Sequence, residues 1–128
     1  MSRVLIVEDD GLQGYDLKQA IENRTDAEVW VAPSVARAIT AVALDRIDFA
    51  ILNIHVLDGH TFGLGRYLMQ AGVPFAFLSG RRRSAVPFDL VKYPFFIKPV
   101  DYPALHAAIQ PVLSAARRRR TAQTGFGL

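Results

Sequence analysis

The stretch that decides the fold is residues 47–59, which read Ile-Asp-Phe-Ala-Ile-Leu-Asn-Ile-His-Val-Leu-Asp-Gly. Its first half is mostly apolar and rich in β-branched side chains, which is typical of a strand covered on both faces. Its second half ends in Asp58-Gly59, a pair that favours a turn. Asn53 is therefore a polar residue at the carboxyl end of a buried strand. In open α/β sheets, ligands bind in the crevice beyond such strand ends.

Three further apolar runs, residues 3–7, 73–78 and 95–97, also end in polar side chains. The residues that follow or close these runs are Glu8-Asp9-Asp10, Ser79-Gly80 and Lys98-Pro99. If the strands are parallel, their carboxyl ends meet at one edge of the sheet. We therefore expect acids, a hydroxyl and an ammonium to share one crevice with Asn53.

The segments between these runs carry apolar residues at helical spacing. The clearest stripe follows Ser34, a predicted helix cap, and consists of Val35, Ala38, Ile39, Val42 and Ala43. The alternation of strands and helices predicts a five-stranded parallel sheet with right-handed crossovers and helices on both faces. Pro87 interrupts the segment between Ser79 and Lys98. We expect the fourth helix to be short, displaced or absent.

The last helix is predicted to start after Asp101 and to be kinked by Pro111. We expect a domain over residues 1–116 and a basic C-terminal tail over residues 117–128, of which residues 121–128 look like a tail beyond the last helix. Four successive arginines at 117–120 would repel one another unless acidic groups of a partner faced them. Together with Phe126 and Leu128 they predict a homodimer through the last helix and tail. A monomer with a disordered tail is the alternative.

Composition points to one compact domain. The chain has 128 residues, of which 51% are hydrophobic, so we expect a sizeable core and no room for a DNA-binding effector domain. The absence of cysteine excludes disulfides and thiolate chemistry. With no signal peptide and no membrane-spanning run, a cytoplasmic location is expected. Seven of the fifteen basic residues lie in two arginine runs, 81–83 and 117–120. Nucleic-acid binding is disfavoured, because such runs are more often solvated surface.

The acidic pair after the first strand predicts a cation site. Glu8 and Asp9 would repel each other unless a cation joined them, and oxygen ligands suit magnesium. The other interpretation is that the acids decorate a helix N-terminus and interact with its dipole. The histidines show no spacing typical of zinc ligands.

These motifs, in this order, make the chain resemble the receiver domain of two-component response regulators over about residues 3–116. The resemblance implies the flavodoxin-like receiver fold and a magnesium ion. It implies that the metal is held by Glu8, Asp9, the side chain at position 53 and the backbone carbonyl of His55. It also implies that position 53 accepts a phosphoryl group, which the Ser79 hydroxyl and the Lys98 ammonium would contact.

One residue departs from the family pattern. The family carries an aspartate as phosphate acceptor where this chain has Asn53. An amide oxygen is neutral and weakly nucleophilic, so no acyl phosphate can form there. Either the natural protein signals without phosphate, or the asparagine is an engineered replacement in an ordinary receiver. Asp58 is assigned to the turn with Gly59 rather than to a substitute acceptor.

These observations lead to two alternative predictions for the function. The first is a single-domain response regulator receiver in a phosphorelay, whose partner is a sensor histidine kinase or a phosphotransfer protein. It would accept phosphate at position 53 only if the natural residue there is aspartate. The alternative is a phosphorylation-independent pseudo-receiver that acts as a protein-interaction module. A small hydrolase using Glu8 and Asp9 is disfavoured because no nucleophile is positioned, so we expect no enzyme activity.

Overall fold

A parallel sheet of five strands forms the centre of the molecule. The computed structural model describes residues 1–80 and 85–126. Its strands in chain order are β1 (Arg3–Val7), β2 (Glu28–Ala32), β3 (Phe49–Asn53), β4 (His55–Val56), β5 (Gly59–His60), β6 (Phe75–Ser79) and β7 (Phe95–Ile97). The main sheet has the order β2-β1-β3-β6-β7, and β4 and β5 form a separate hairpin. All pairings within the main sheet are parallel.

Among the described residues, three α-helices lie between strands and a fourth follows β7: α1 (Gly11–Glu22), α2 (Val35–Leu44), α3 (Phe62–Ala71) and α4 (Tyr102–Phe126). Asp10 caps α1 by accepting from the backbone N–H groups of Leu12 and Gln13, each at 3.0 Å. Ser34 caps α2 as its sequence predicts. Gly72 ends α3 in the left-handed conformation, with φ at +74°, which favours glycine.

The core lies in two layers, one on each face of the sheet. Along β1, Leu5 and Val7 point into one layer, whereas Val4 and Ile6 point into the other. The first layer includes residues of α2 and α3, and the second includes residues of α1 and α4. The strands are therefore buried on both faces, which confirms the predicted five-stranded α/β fold with helices on both sides.

Between β6 and β7 the described residues contain no α-helix and include the 3-10 turn Phe88–Leu90. The fourth helix is thus reduced, as Pro87 predicts. Arg66 of α3 holds this turn through two bonds to Asp89, with Nε to Oδ2 at 2.8 Å and Nη2 to Oδ1 at 3.2 Å. The arginine run at 81–83 lies outside the residues that the structure describes.

The last helix is longer than predicted. It runs from Tyr102 to Phe126 and contains Pro111 in its interior, so residues 121–126, which were predicted as part of a tail, are helical. Two arginines of this helix form ion pairs with acids elsewhere in the same chain. Arg117 Nη2 binds Asp26 Oδ1 at 2.7 Å, and Arg120 Nη1 binds Asp48 Oδ1 at 3.2 Å. Among the described helices, none combines the length and apolarity needed to cross a membrane.

Asp48 is the residue that joins the end of α4 to the start of the sheet. Its side chain is nearly buried, accepts from the backbone N–H of Arg3 at 2.9 Å, and pairs with both Arg46 and Arg120. Removing it would leave the N–H of Arg3 and two guanidinium groups without this acceptor.

We predict that Asp48→Ala lowers the free energy of unfolding by about 3 kcal/mol, because it breaks a largely buried pair. Urea denaturation followed by circular dichroism measures the change. The matched control is Asp45→Ala, since Asp45 forms a half-exposed pair with Arg3 at 3.6 Å. That variant should differ by about 0.5 kcal/mol or less. Equal losses in the two variants would contradict this account.

Candidate functional site

The carboxyl ends of four strands bring the predicted site residues together. Glu8 follows β1, Asn53 ends β3, Ser79 ends β6 and Lys98 follows β7. The register places Asn53 opposite Leu78 and Ser79 opposite Ile97, so the strand ends are level. Glu8 and Ser79 are buried, with 3% and 2% of their surface exposed.

Glu8 is at the centre of the site because both of its carboxylate oxygens accept hydrogen bonds. Oε1 accepts from Lys98 Nζ at 2.9 Å, and Oε2 accepts from Asn53 Nδ2 at 3.1 Å and from the Asp10 backbone N–H at 3.3 Å. The charge of this buried carboxylate is therefore balanced by Lys98. Its remaining lone pairs are satisfied by neutral N–H groups.

The amide of Asn53 bridges two groups that the sequence predicts to be metal ligands. Its nitrogen donates to Glu8 Oε2 and also to the backbone carbonyl of His55 at 2.7 Å. Both neighbours are acceptors only, so the amide presents its NH₂ group to them and its oxygen elsewhere. The two N–H groups therefore join the carboxylate and the carbonyl that a cation would otherwise join.

The other two acids after β1 have different roles. Asp9 is exposed and has no hydrogen bond or ion pair with any described residue. Asp10 is the N-cap of α1. The backbone N–H of Gln13, together with that of Leu12, holds the pKa of Asp10 below its ordinary value.

As arranged, these residues do not fit a tightly held magnesium ion. All four predicted ligands, Glu8, Asp9, Asn53 and the His55 carbonyl, lie at the same edge of the sheet. However, Glu8 and the carbonyl are already engaged by N–H donors, which leaves Asp9 as the one unengaged carboxylate. Within residues 1–80 and 85–126, no group of three acid or histidine side chains could hold a metal. Magnesium binding therefore stays a prediction.

Ser79 and Lys98 lie on neighbouring strand ends. The backbone N–H of Lys98 donates to the Ser79 carbonyl at 2.9 Å, which holds these ends together. The Lys98–Pro99 peptide bond is cis. The geometry brings the hydroxyl and the ammonium to the site, and their contacts with a phosphoryl group stay a prediction.

A cavity of about 480 Å³ opens beside these residues. It lies between α1 and the segment after β7, and its polar lining includes Glu8, Gln13, Asp16, Lys98 and Tyr102. The pair formed by Glu8 and Lys98 is therefore reachable from solution.

Two supporting contacts could not be seen in the sequence. Thr61 is fully buried, and its hydroxyl donates to the backbone carbonyl of Asn53 at 2.9 Å. Asp58 accepts from the backbone N–H groups of Val35 at 2.8 Å and Ala36 at 3.1 Å. Thr61 is 8 residues from Asn53, and Asp58 is 22 to 23 residues from its two partners. The only local signal was a polar residue in or beside the turn.

Asp58 belongs to the turn with Gly59, as predicted, and in addition it caps α2. The hydrogen bond from the Val35 N–H, followed by that from Ala36, lowers the pKa of its carboxyl from the ordinary value of 3.8. Gly59 has φ at +121°, which favours glycine and lets the chain reverse after Asp58. Both Asp58 oxygens are engaged, so this side chain is not arranged as a substitute acceptor.

The fold is that of response regulator receiver domains. A two-component response regulator from Clostridium difficile superposes with a TM-score of 0.80 at 19% identity, covering 89% of this chain and 97% of that chain. SdrG from Sphingomonas melonis Fr1 gives 0.74 at 26% identity, covering 88% and 97%. The response regulator TrrA from Thermotoga maritima, solved in complex with Mg²⁺-BeF, gives 0.76 at 17% identity, covering 88% and 99%.

These similarities are structural rather than sequence-based. No family model matches the sequence, and no curated protein matches it. The chain nevertheless shares the CheY-like receiver fold with many solved structures over most of its length, which confirms the predicted resemblance.

We predict that Asp58→Asn destabilises the protein at neutral pH, because an amide can accept from only one of the two α2 N–H groups with its oxygen. Since the pKa of Asp58 is lowered by folding, its contribution is present above 3.8 and is lost as the pH falls through the folded pKa. Urea midpoints of both proteins should therefore differ at pH 7 and converge in acid. Asp16→Asn, at an exposed acid of α1, is the control. A pH-independent difference for Asp58→Asn would contradict the assignment.

Proposed function

We propose that this chain is a receiver-type module of two-component signalling that acts through protein contacts and accepts no phosphate at position 53. The observation that carries this proposal is the pair of hydrogen bonds from Asn53 Nδ2 to Glu8 and to the His55 carbonyl. Through these bonds the Asn53 side chain satisfies both acceptors that border it.

Phosphoryl transfer to a receiver requires a carboxylate that attacks phosphorus in line with the leaving group. The Asn53 amide is neutral, and its NH₂ group is committed to two acceptors. Lys98, the cation that would neutralise an incoming phosphoryl group, is paired with Glu8 at 2.9 Å. Charge and hydrogen bonding at the site are therefore balanced without phosphate.

The same reasoning applies to the binding of magnesium. The similar TrrA structure contains Mg²⁺-BeF, and magnesium in a receiver site of this chain would be held by Asp9, Glu8 and the His55 carbonyl. With asparagine at position 53, one negative ligand is missing and two of the others are occupied. We infer that magnesium binds weakly, because affinity for hard cations depends on the number of charged ligands.

The partner implied by the receiver fold is a sensor histidine kinase or a phosphotransfer protein, and a cytoplasmic location would suit such a partner. A module that does not accept phosphate would bind this partner in one fixed state. It would then occupy the surface with which the partner binds receivers, without taking up a phosphoryl group from that partner.

The second candidate function is ordinary phosphate acceptance, and one substitution separates the two. We predict that Asn53→Asp takes up one phosphoryl group from acetyl phosphate with magnesium, because Glu8, Asp9, Ser79 and Lys98 are all at the site. The protein with Asn53 should take up none. Intact mass spectrometry measures the added phosphoryl group.

Asn53→Ala is the matched control, since it removes the amide without supplying a nucleophile. It should remain unmodified. A phosphorylated species of the protein with Asn53 would contradict the proposal, and so would modification of the alanine variant, because both would show an acceptor elsewhere.

We also propose that the chain self-associates through the end of α4. This proposal no longer relies on the arginines of that helix. Arg117 and Arg120 already face Asp26 and Asp48 of the same chain, so they do not require a partner's acids. The part of α4 beyond Arg120 extends past these attachment points and is the remaining candidate for a helix-to-helix contact in a homodimer.

We predict that the full chain sediments as a dimer and that a chain ending after Ala122 sediments as a monomer. The truncation keeps Arg117 and Arg120, so the attachments of α4 to the domain are preserved. Analytical ultracentrifugation over a range of concentrations measures the mass. Equal masses for the two chains would contradict a dimer built on the end of α4.

A further inference from the structure

A second cavity lies at the opposite end of the sheet from Glu8. Its volume is about 440 Å³, and it is bordered by the segments before β3 and β6, by α3, and by the end of α4. The apolar part of its lining consists of Val42, Ile47, Val73, Pro74, Ala71 and Ala116. Its volume falls within the range of sites that hold small molecules.

The polar part of this lining is dominated by arginine. Arg46 comes from the segment before β3, and Arg119 and Arg120 come from α4. Tyr67 of α3 adds an aromatic ring and is 43% exposed. The lining thus combines apolar side chains with three guanidinium groups and one phenol.

The carboxylate of Asp48 holds two of these guanidinium groups in place. Asp48 pairs with Arg46 at 3.3 Å and with Arg120 at 3.2 Å, and Arg120 also donates to the Ser2 hydroxyl at 3.1 Å. This one carboxylate contacts both cations and orients them. Their positions are thus set before any ligand arrives.

The net charge of the lining is positive. Asp45, the other acid there, is paired with Arg3 at 3.6 Å. Arg119 is exposed and makes no hydrogen bond or ion pair with any described residue. The lining contains three arginines and two acids, Asp45 and Asp48, so its formal net charge is positive.

We propose that this cavity binds a small organic anion, with a phosphate or carboxylate group at the arginines and an apolar body against the apolar lining residues and Tyr67. Guanidinium groups match the geometry of phosphate and carboxylate oxygens and form charge-assisted hydrogen bonds with them. Apolar lining residues favour a ligand with a ring or a short chain over an inorganic ion. The site uses no residue of the Glu8 edge, so it stands whatever the role of Asn53.

The test is a calorimetric titration of the full chain with four probes: phenyl phosphate, benzoate, inorganic phosphate and benzyl alcohol. At least one aromatic anion should bind saturably at one site, about tenfold or more tighter than inorganic phosphate, and the neutral alcohol should not bind. The stronger of phenyl phosphate and benzoate identifies whether phosphate or carboxylate is the preferred group.

Two neighbouring arginines provide a matched pair of variants. Arg119 lines the cavity, whereas Arg118 is exposed, does not line it and has no described partner. Arg119→Glu should weaken the aromatic anion about tenfold or more, and Arg118→Glu should change it by about twofold or less. Absence of saturable binding by both anions would overturn the proposal. Equal weakening in the two variants would also overturn it, because it would show binding to general surface charge.

Discussion

The buried carboxylate of Glu8 is the constraint on which the site depends. A carboxylate removed from water destabilises the fold by several kcal/mol unless a cation and hydrogen-bond donors compensate it. Here Lys98 supplies the charge, and Asn53 and the Asp10 N–H supply the remaining hydrogen bonds. These donors come from three separate strand ends, so the carboxylate also fixes how the ends of β1, β3 and β7 lie relative to one another.

Asparagine at position 53 suits this constraint better than aspartate would in the absence of a cation. An aspartate there would face Glu8 Oε2 and the His55 carbonyl with oxygen atoms, and these like groups would repel unless a cation separated them. The Asn53 amide places N–H groups in the same positions. One substitution thus changes a site that requires a cation into one that is complete without it. Thr61 supports the arrangement by binding the Asn53 carbonyl.

The parts of the structure that sequence reasoning predicted are those set by local pattern and by the geometry of parallel strands. Apolar runs identified the strands, and the rule that their carboxyl ends meet at one edge brought Glu8, Asn53, Ser79 and Lys98 together. The missed parts depend on partners far along the chain. The direction of the Asn53 amide follows from two acceptors, and the first two N–H groups of α2 are bound by Asp58, 22 to 23 residues away, in addition to the Ser34 cap. The end of α4 depends on a pair between Arg120 and Asp48, 72 residues apart.

We propose that the Asn53 amide takes the place of a cation by joining Glu8 to the His55 carbonyl. Nuclear magnetic resonance of the Asn53 side-chain NH₂ group, with its two hydrogens assigned through Asn53→Ala, tests this proposal. We expect slow exchange of these hydrogens with water and no change in their shifts when magnesium is added to about 10 mM. Rapid exchange without magnesium, or a saturable shift of this group at about 1 mM magnesium or below, would contradict it.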